Sequence, residues 1–500
     1  MRSSAVRALV PPGQWPEGAR RGQPGGTIVD CWLEQWSEDP GQVALVDGWE
    51  PERTVDGARL LQRTAEIAAV LSERGVVPGT RVLWCARAGL DSVESLLAVL
   101  RAGAVLVPVN PASTTAEIEH VVSDAGPTVA IADDPAAFGS LVPTLPVADL
   151  VDLADAGSAA ASHFLPQTRV SDDALIVYTS GTTGRPKGAV HTHASLRAGV
   201  DALQTAWGWQ PEDRLLLTLP LFHVHGLVAG LFGTLTAGAT VTVFDRFDDN
   251  KVLESASDHT MFFGVPTMYH RLEATGQARA LSQLRLCVSG SAPLAAELWH
   301  RFAANGVAVL ERYGMTETLL TLSNPLAGER RPGSVGLPLP GVEAAIDDPD
   351  GEGVGELFVR AASLCRGYWG RGRPDEATTD SNGWFATGDL VSVSEDGYVT
   401  IRGRRTELII TGGHNVYPAE VEAVFARHPG VREVAVVGVP SAEWGETVEA
   451  FVVGDPDLES LDDLATRELA SFKRPRQVHI VEALPRNALG KVVRGDLRSR

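Results

Sequence analysis

The sequence predicts an α/β protein: a large N-terminal domain of βα-layered sheets with a small barrel-like element, followed by a small α+β C-terminal domain. Three observations predict it. Helical patterns alternate with short apolar, β-branched runs over about residues 55 to 150 and again up to about residue 325. Beyond Gly333 the pattern changes to short strands separated by glycine turns, and from Arg404 a new compact stretch of helices and strands begins. With 500 residues, 44% of them hydrophobic and 21% charged, the chain can bury a large core in more than one domain.

In order, Gly57 to Arg74 reads as a helix, Arg81 to Cys85 as a strand, Asp91 to Ala102 as a helix and Ala104 to Val109 as a strand, and Thr128 to Ala132 continues the alternation. The Ala- and Ser-rich stretch Asp152 to Ser162 reads as a surface connection to the strand Ala174 to Tyr178. Leu215 to Phe244 carries no Asp, Glu, Lys or Arg, but Pro220, two histidines and four glycines interrupt it. A buried strand, turn, helix and the strand Ala239 to Phe244 fit it better than a membrane span. Gly355 to Arg360 and Gly397 to Arg402 are the short strands of the antiparallel or barrel-like element. A helix near Pro418 to Ala426, strands at Val431 to Val439 and Val448 to Val453, and a last helix before Phe472 complete the chain. The boundary falls near Gly403 to Thr406, giving domains 1–403 and 404–500.

A net charge of −20 argues against a nucleic-acid or anionic-membrane surface, since phosphate backbones reward dense Lys and Arg. Any phosphate must be held locally. Cys31, Cys85, Cys287 and Cys365 lie far apart without a C-x-x-C pair, which suggests neither zinc nor a disulfide framework and fits a cytoplasmic protein. The N-terminus has arginines among Pro and Gly but no apolar region, so it does not read as a signal peptide.

Chemistry concentrates in Tyr178-Thr179-Ser180-Gly181-Thr182-Thr183-Gly184-Arg185-Pro186-Lys187-Gly188, directly after a predicted strand. Glycines let backbone N–H groups turn toward an anion, hydroxyls add donors and Lys187 adds a point charge, so this is a phosphate-cradling loop. It is not the G-x-x-x-x-G-K-[ST] loop: the spacing differs and no Ser or Thr follows Lys187.

The loop resembles the signature of the adenylate-forming superfamily of acyl-CoA synthetases, luciferases and peptide-synthetase adenylation domains. Six further segments are similar to that family in the same order. The resemblance implies the following roles. His223, in Leu221 to Gly226, lines the acyl pocket, and His225 is left without a role. Ser289-Gly290-Ser291-Ala292-Pro293 lies beside the adenine and acyl groups. In Arg312-Tyr313-Gly314-Met315-Thr316-Glu317, Tyr313 packs on adenine, Thr316 reaches phosphate and Glu317 holds Mg²⁺, a hard cation that prefers oxygen ligands. Asp389, in Thr387 to Leu390, accepts from the ribose hydroxyls, with Arg404 as a second contact. Gly412, Gly413 and His414 approach the thiol cofactor, and Lys491, in Asn487 to Lys491, bridges the acid and ATP in the first half-reaction.

The resemblance further implies an acyl-adenylate formed from ATP and a carboxylic acid, then transfer to coenzyme A, with the mobile small domain rotating between the steps. Thr406 stands where the family's hinge is usually Asp or Lys. Alternatives are another small or aromatic acid, or delivery to a carrier protein or an amine. Arg312 before the tyrosine, Arg271 after Gly264 to His270, H-V-H-G and Ser323-Asn324-Pro325 together resemble the malonyl-CoA synthetases, in which two arginines bind the second carboxylate. Guanidinium matches carboxylate geometry and stays charged. Malonate or methylmalonate is the expected acid, with Ser289 and Met315 beside it.

Overall fold

The computed structural model describes residues 7–15, 25–156, 168–179, 186–370, 373–375, 378–441, 443–486 and 492–498. The chain forms two compact units. One comprises Pro11–Ala344 and Val359–Phe385; the other comprises Met1–Val10, Ala345–Phe358 and Ala386–Arg500.

The larger unit holds two sheets among its described residues. The first runs, edge to edge, Arg373–Asp375, Gly367–Gly370, Lys187–Thr192, Asp173–Thr179, Val105–Pro108, Arg81–Cys85, Val129–Ala132 and Thr144–Pro146. It is parallel from Asp173–Thr179 to Thr144–Pro146 and antiparallel at the other edge. The second runs Leu337–Pro338, Leu319–Ser323, Val309–Met315, Leu286–Ser289, Met261–Gly264, Arg214–Leu217, Thr240–Val243, Val43–Asp47 and Thr54–Asp56. Its interior is parallel, so its strands are covered on both faces and read as unbroken apolar runs such as Leu215–Leu217.

Helices cover these sheets with apolar stripes. In Gly57–Glu73, capped by the Asp56 side chain, Leu60, Thr64, Ile67, Ala68 and Leu71 are buried at helical spacing. The uncharged segment resolves as expected, into the strand Arg214–Leu217, a helix and the strand Thr240–Val243, but the helix is π-wound over His225–Phe232 before Gly233–Thr236. No helix among the described residues is long and apolar enough to cross a membrane. One element differs from expectation. Residues 152–155, read as connection, close the helix Val147–Asp155, because Leu150 and Ala154 share a buried face.

In the smaller unit, Ala8–Leu9, residues 345–347, 355–358, 386–393 and Val399–Arg404 follow one another across one sheet, the element expected beyond Gly333. Compactness thus groups this sheet with the C-terminal segment. A second sheet orders His414–Val416, Ile409–Thr411, Gly445–Gly454 and Val431–Ser441, with Gln477–Val481 parallel to Gly445–Gly454. Pro418–Phe425 and Leu458–Glu468 supply Val421, Phe425 and Leu461 to its core.

Candidate active site

In the nine-stranded sheet of the larger unit, the carboxyl ends of parallel strands deliver the expected residues. Arg214–Leu217 leads to His223, Leu286–Ser289 ends on Ser289, and Val309–Met315 carries Arg312 to Met315. Crevices outside such strand ends are where open α/β sheets bind ligands.

Arg312 is the most unusual of these residues. It is 5% exposed, and its Nε and Nη2 have no hydrogen-bond partner among the described residues. Burial alone pushes its guanidinium down to about 9. A side chain at Gly290 would collide with it, the built Cβ falling 2.3 Å from Arg312 Nε, so only glycine lets the guanidinium lie against this turn. Ser289 Oγ is likewise buried and unpartnered among the described residues. Ser291 holds a left-handed φ of 70°, a strained conformation for a residue with a Cβ, while Ala292 is exposed. Arg312 does not pair with its neighbour Glu311, because successive strand residues point to opposite faces. The Glu311 carboxylate instead accepts the backbone N–H groups of Gly333 at 2.9 Å and Leu294 at 3.3 Å, and burial pushes it up to about 7.

His225 is 4% exposed, and both ring nitrogens lack hydrogen-bond partners among the described residues. Burial first, then the charges of Arg312 and His223, hold it well below the ordinary histidine value, so it is neutral. His223 is half-buried beside Phe222. Arg271 behaves differently from Arg312. It sits in the last turn of Pro266–Ala274 with 54% of its side chain exposed, its Nη2 3.2 Å from Asp249 and its guanidinium over Phe247. The structure gives it a partner and does not bring it into the buried cluster.

Tyr313 to Glu317 forms the second focus. Gly314 lies where the register shifts against Leu319–Ser323, and an added Cβ would fall 1.9 Å from Leu319 O. Tyr313 and Met315 are half-buried, and Thr318 N–H closes the turn onto Met315 O at 3.2 Å. The carbonyl of Thr316 accepts from His191 Nε2 at 2.7 Å; that ring is fully buried, and burial pushes it down to about 4. Glu317 is 6% exposed, its Oε1 accepting from the Tyr368 hydroxyl at 2.6 Å and its carbonyl from Cys365 N–H at 2.7 Å.

The glycine loop is anchored at its described ends. Thr179 and Lys187 face each other in a hairpin, and His120 Nε2 lies 2.8 Å from Pro186 O. Lys187 is exposed, its ammonium 5.3 Å from the centre of the Tyr368 ring. Ser180, Gly181, Thr182, Thr183 and Gly184 lie outside the described residues, as does Lys491.

In the smaller unit, Asp389 and Arg404 are paired at 2.8 Å across adjacent strands, with Asp389 buried and its N–H on Thr387 Oγ1. Gly412 and Gly413 turn the hairpin at φ 56° and 80°, and His414 stacks on Phe472.

Sequence reasoning missed Tyr368, His191 and the clamp made by Glu311. Nothing local marks Tyr368, since Glu317 is 51 residues away. Among the described residues no group of three or more His, Cys, Asp or Glu could hold a metal alone. Glu317 fits Mg²⁺ only as one carboxylate completed by phosphate oxygens and water, a usual arrangement for that ion.

The model of the AMP-binding enzyme family matches residues 32–369, and that of the AMP-binding enzyme C-terminal domain matches 420–491. A malonate–CoA ligase of Arabidopsis thaliana is 36% identical over 85% of this chain and 78% of its own length. A feruloyl-CoA synthase of an Amycolatopsis species is 37% identical over 89% and 93%. The crystal structure of ATP-bound MatB from Rhodopseudomonas palustris superposes with a TM-score of 0.88 at 36% identity, over 94% of this chain and 98% of that one. The chain therefore belongs to the AMP-binding enzyme family.

Proposed function

We propose that this chain joins malonate or methylmalonate to the thiol of coenzyme A while cleaving ATP to AMP and pyrophosphate. It is an AMP-forming acyl-CoA synthetase that takes ATP, Mg²⁺ and CoA, and we place it in the cytoplasm. Arg312 carries the choice of acid. A buried guanidinium with two donors unpartnered among the described residues, against Gly290 and beside Ser289, is a site for a second carboxylate. The malonate–CoA ligase likeness supports this reading; the feruloyl-CoA synthase, equally similar, shows that overall identity does not choose the acid.

The acid's reacting carboxylate attacks the α-phosphorus, a C–O–P bond forms, and pyrophosphate leaves. Both reactants are anionic, so positioning and charge neutralisation carry the step. Lys187 and the 179–184 loop hold the phosphates, with Thr316. When bound to Glu317, Mg²⁺ supplies further neutralisation there. Tyr313, Ser291 and Ala292 receive the adenine, Asp389 and Arg404 the ribose, and His223 and Met315 border the acyl group. Lys491 serves the first step. Gly412, Gly413 and His414 serve the second, in which the thiol attacks the acyl carbon and AMP leaves, with rotation of residues 404–500 about Thr406. Arg271, exposed and paired with Asp249, adds to acid binding only if that pair opens.

The test is to incubate the protein with ATP, Mg²⁺, CoA and a panel of mono-, di- and aromatic carboxylic acids, following AMP and thioester by mass spectrometry. Malonyl-CoA and methylmalonyl-CoA are the expected products. Thioester from aromatic acids alone would overturn the assignment, and adenylate without thioester would move the acceptor to a carrier protein or amine.

A further inference from the structure

We propose that Tyr368 is a positioning residue that sets the Glu317 carboxylate for the metal and Lys187 for the phosphates with a single side chain. The proposal rests on the assignment of Glu317 to Mg²⁺. Tyr368 lies on Gly367–Gly370, which pairs antiparallel with Lys187–Thr192 so that Tyr368 faces Ala189. Lys187 is two residues further along, the diagonal neighbour on the same face, which is within reach of aromatic and long side chains. The ring accordingly lies under the Lys187 ammonium at 5.3 Å, while its hydroxyl donates to Glu317 Oε1 at 2.6 Å.

That arrangement answers a physical problem. A lysine for phosphate and a carboxylate for a cation attract each other, and a direct ion pair would occupy both groups. No Lys187–Glu317 ion pair is present among the described residues; the tyrosine stands between them instead. A neutral hydroxyl fixes Oε1, and among the described residues no hydrogen bond reaches Oε2. The backbone is held in the same place, through Cys365 N–H on the Glu317 carbonyl and His191 on the Thr316 carbonyl, each at 2.7 Å. With the backbone held, the Tyr368 hydrogen bond on Oε1 restricts the torsions of the Glu317 side chain.

The test compares full-length wild type, Tyr368→Phe and Tyr368→Leu. Binding of Mn²⁺ in the presence of ATP is followed by electron paramagnetic resonance, with AMP and metal-free pyrophosphate binding measured by calorimetry. Loss of a hydrogen bond to a charged group predicts Mn²⁺·ATP binding roughly 10- to 100-fold weaker in Tyr368→Phe. AMP and pyrophosphate binding should stay as in wild type, because the ring remains. Tyr368→Leu should additionally weaken pyrophosphate binding. Wild-type Mn²⁺·ATP binding by Tyr368→Phe, or an equal loss of AMP binding, would overturn the role of Tyr368. A wild type that holds no Mn²⁺ beyond that bound by ATP itself would overturn the Glu317 assignment and the proposal with it.

Discussion

Replacing Arg312 with methionine should make the protein more stable and a worse malonate ligase at once. The guanidinium is buried, and its Nε and Nη2 find no partner among the described residues. The fall of its pKa from 12.5 to about 9, caused by burial, corresponds to about 5 kcal/mol spent on keeping the charge in place. Because the folded value is the lower one, that cost is present at every pH below about 9 and lifts only above it. A similarly long apolar side chain removes the cost, and replacing buried charge in this way stabilises proteins by about 1–4 kcal/mol. The melting midpoint of Arg312→Met should therefore rise at pH 7. On the proposed role of Arg312, the charged pair with the acid's second carboxylate is lost in the same change, which should cost about 2–5 kcal/mol of transition-state stabilisation, or roughly 30- to several-thousand-fold in kcat/KM for malonate. Propionate has no second carboxylate and should be turned over as well as, or better than, by wild type. Thermal melts and a coupled AMP assay with both acids read all three quantities. A lower midpoint, or equal losses with malonate and propionate, would refute the reasoning.

Three other outcomes are expected. Burial raises Glu311 to about 7 from 4.5, so its favourable contribution is complete below about pH 4.5 and is lost as pH rises through about 7, an effect of about 3 kcal/mol. Melts between pH 5 and 8 should show wild type losing stability relative to Glu311→Gln as pH rises; parallel curves would contradict this. Asp389→Asn removes the charge that pairs with Arg404 at 2.8 Å and should raise the KM for ATP roughly tenfold, as for loss of a hydrogen bond to a charged group, with KM for malonate unchanged in initial-rate assays. Gly413→Val forces a β-branched residue to φ 80°, at a local cost of about 1–2 kcal/mol. It should slow thioester formation from preformed acyl-adenylate while ATP–pyrophosphate exchange continues.

What the sequence made legible was local. The run of glycines, hydroxyls and one lysine between two strands reads as an anion loop from its composition alone, and Tyr313 to Glu317 falls on a strand end followed by a tight turn, as its Gly314 requires. The two arginines show the limit. Both are charged residues near apolar segments, yet Arg312 sits on a strand face turned into the protein. Arg271 lies two residues beyond the buried Tyr269 on a helix, about 200° around the axis, and so faces outward. Tyr368 is brought to Glu317 by the pairing of Gly367–Gly370 with Lys187–Thr192, far earlier in the chain, and by Cys365 N–H on the Glu317 carbonyl. Glu311 likewise acts through backbone groups 17 and 22 residues away, Leu294 and Gly333, which no periodicity announces.

The central claim is that the acyl pocket is built for a second carboxylate, and the ratio of kcat/KM for malonate to that for propionate tests it most directly. A site holding a buried guanidinium whose Nε and Nη2 have no partner among the described residues rejects an acid that leaves them unpaired, so the wild-type ratio should reach about 10² to 10⁴. A ratio near one, or preference for propionate, would contradict the account.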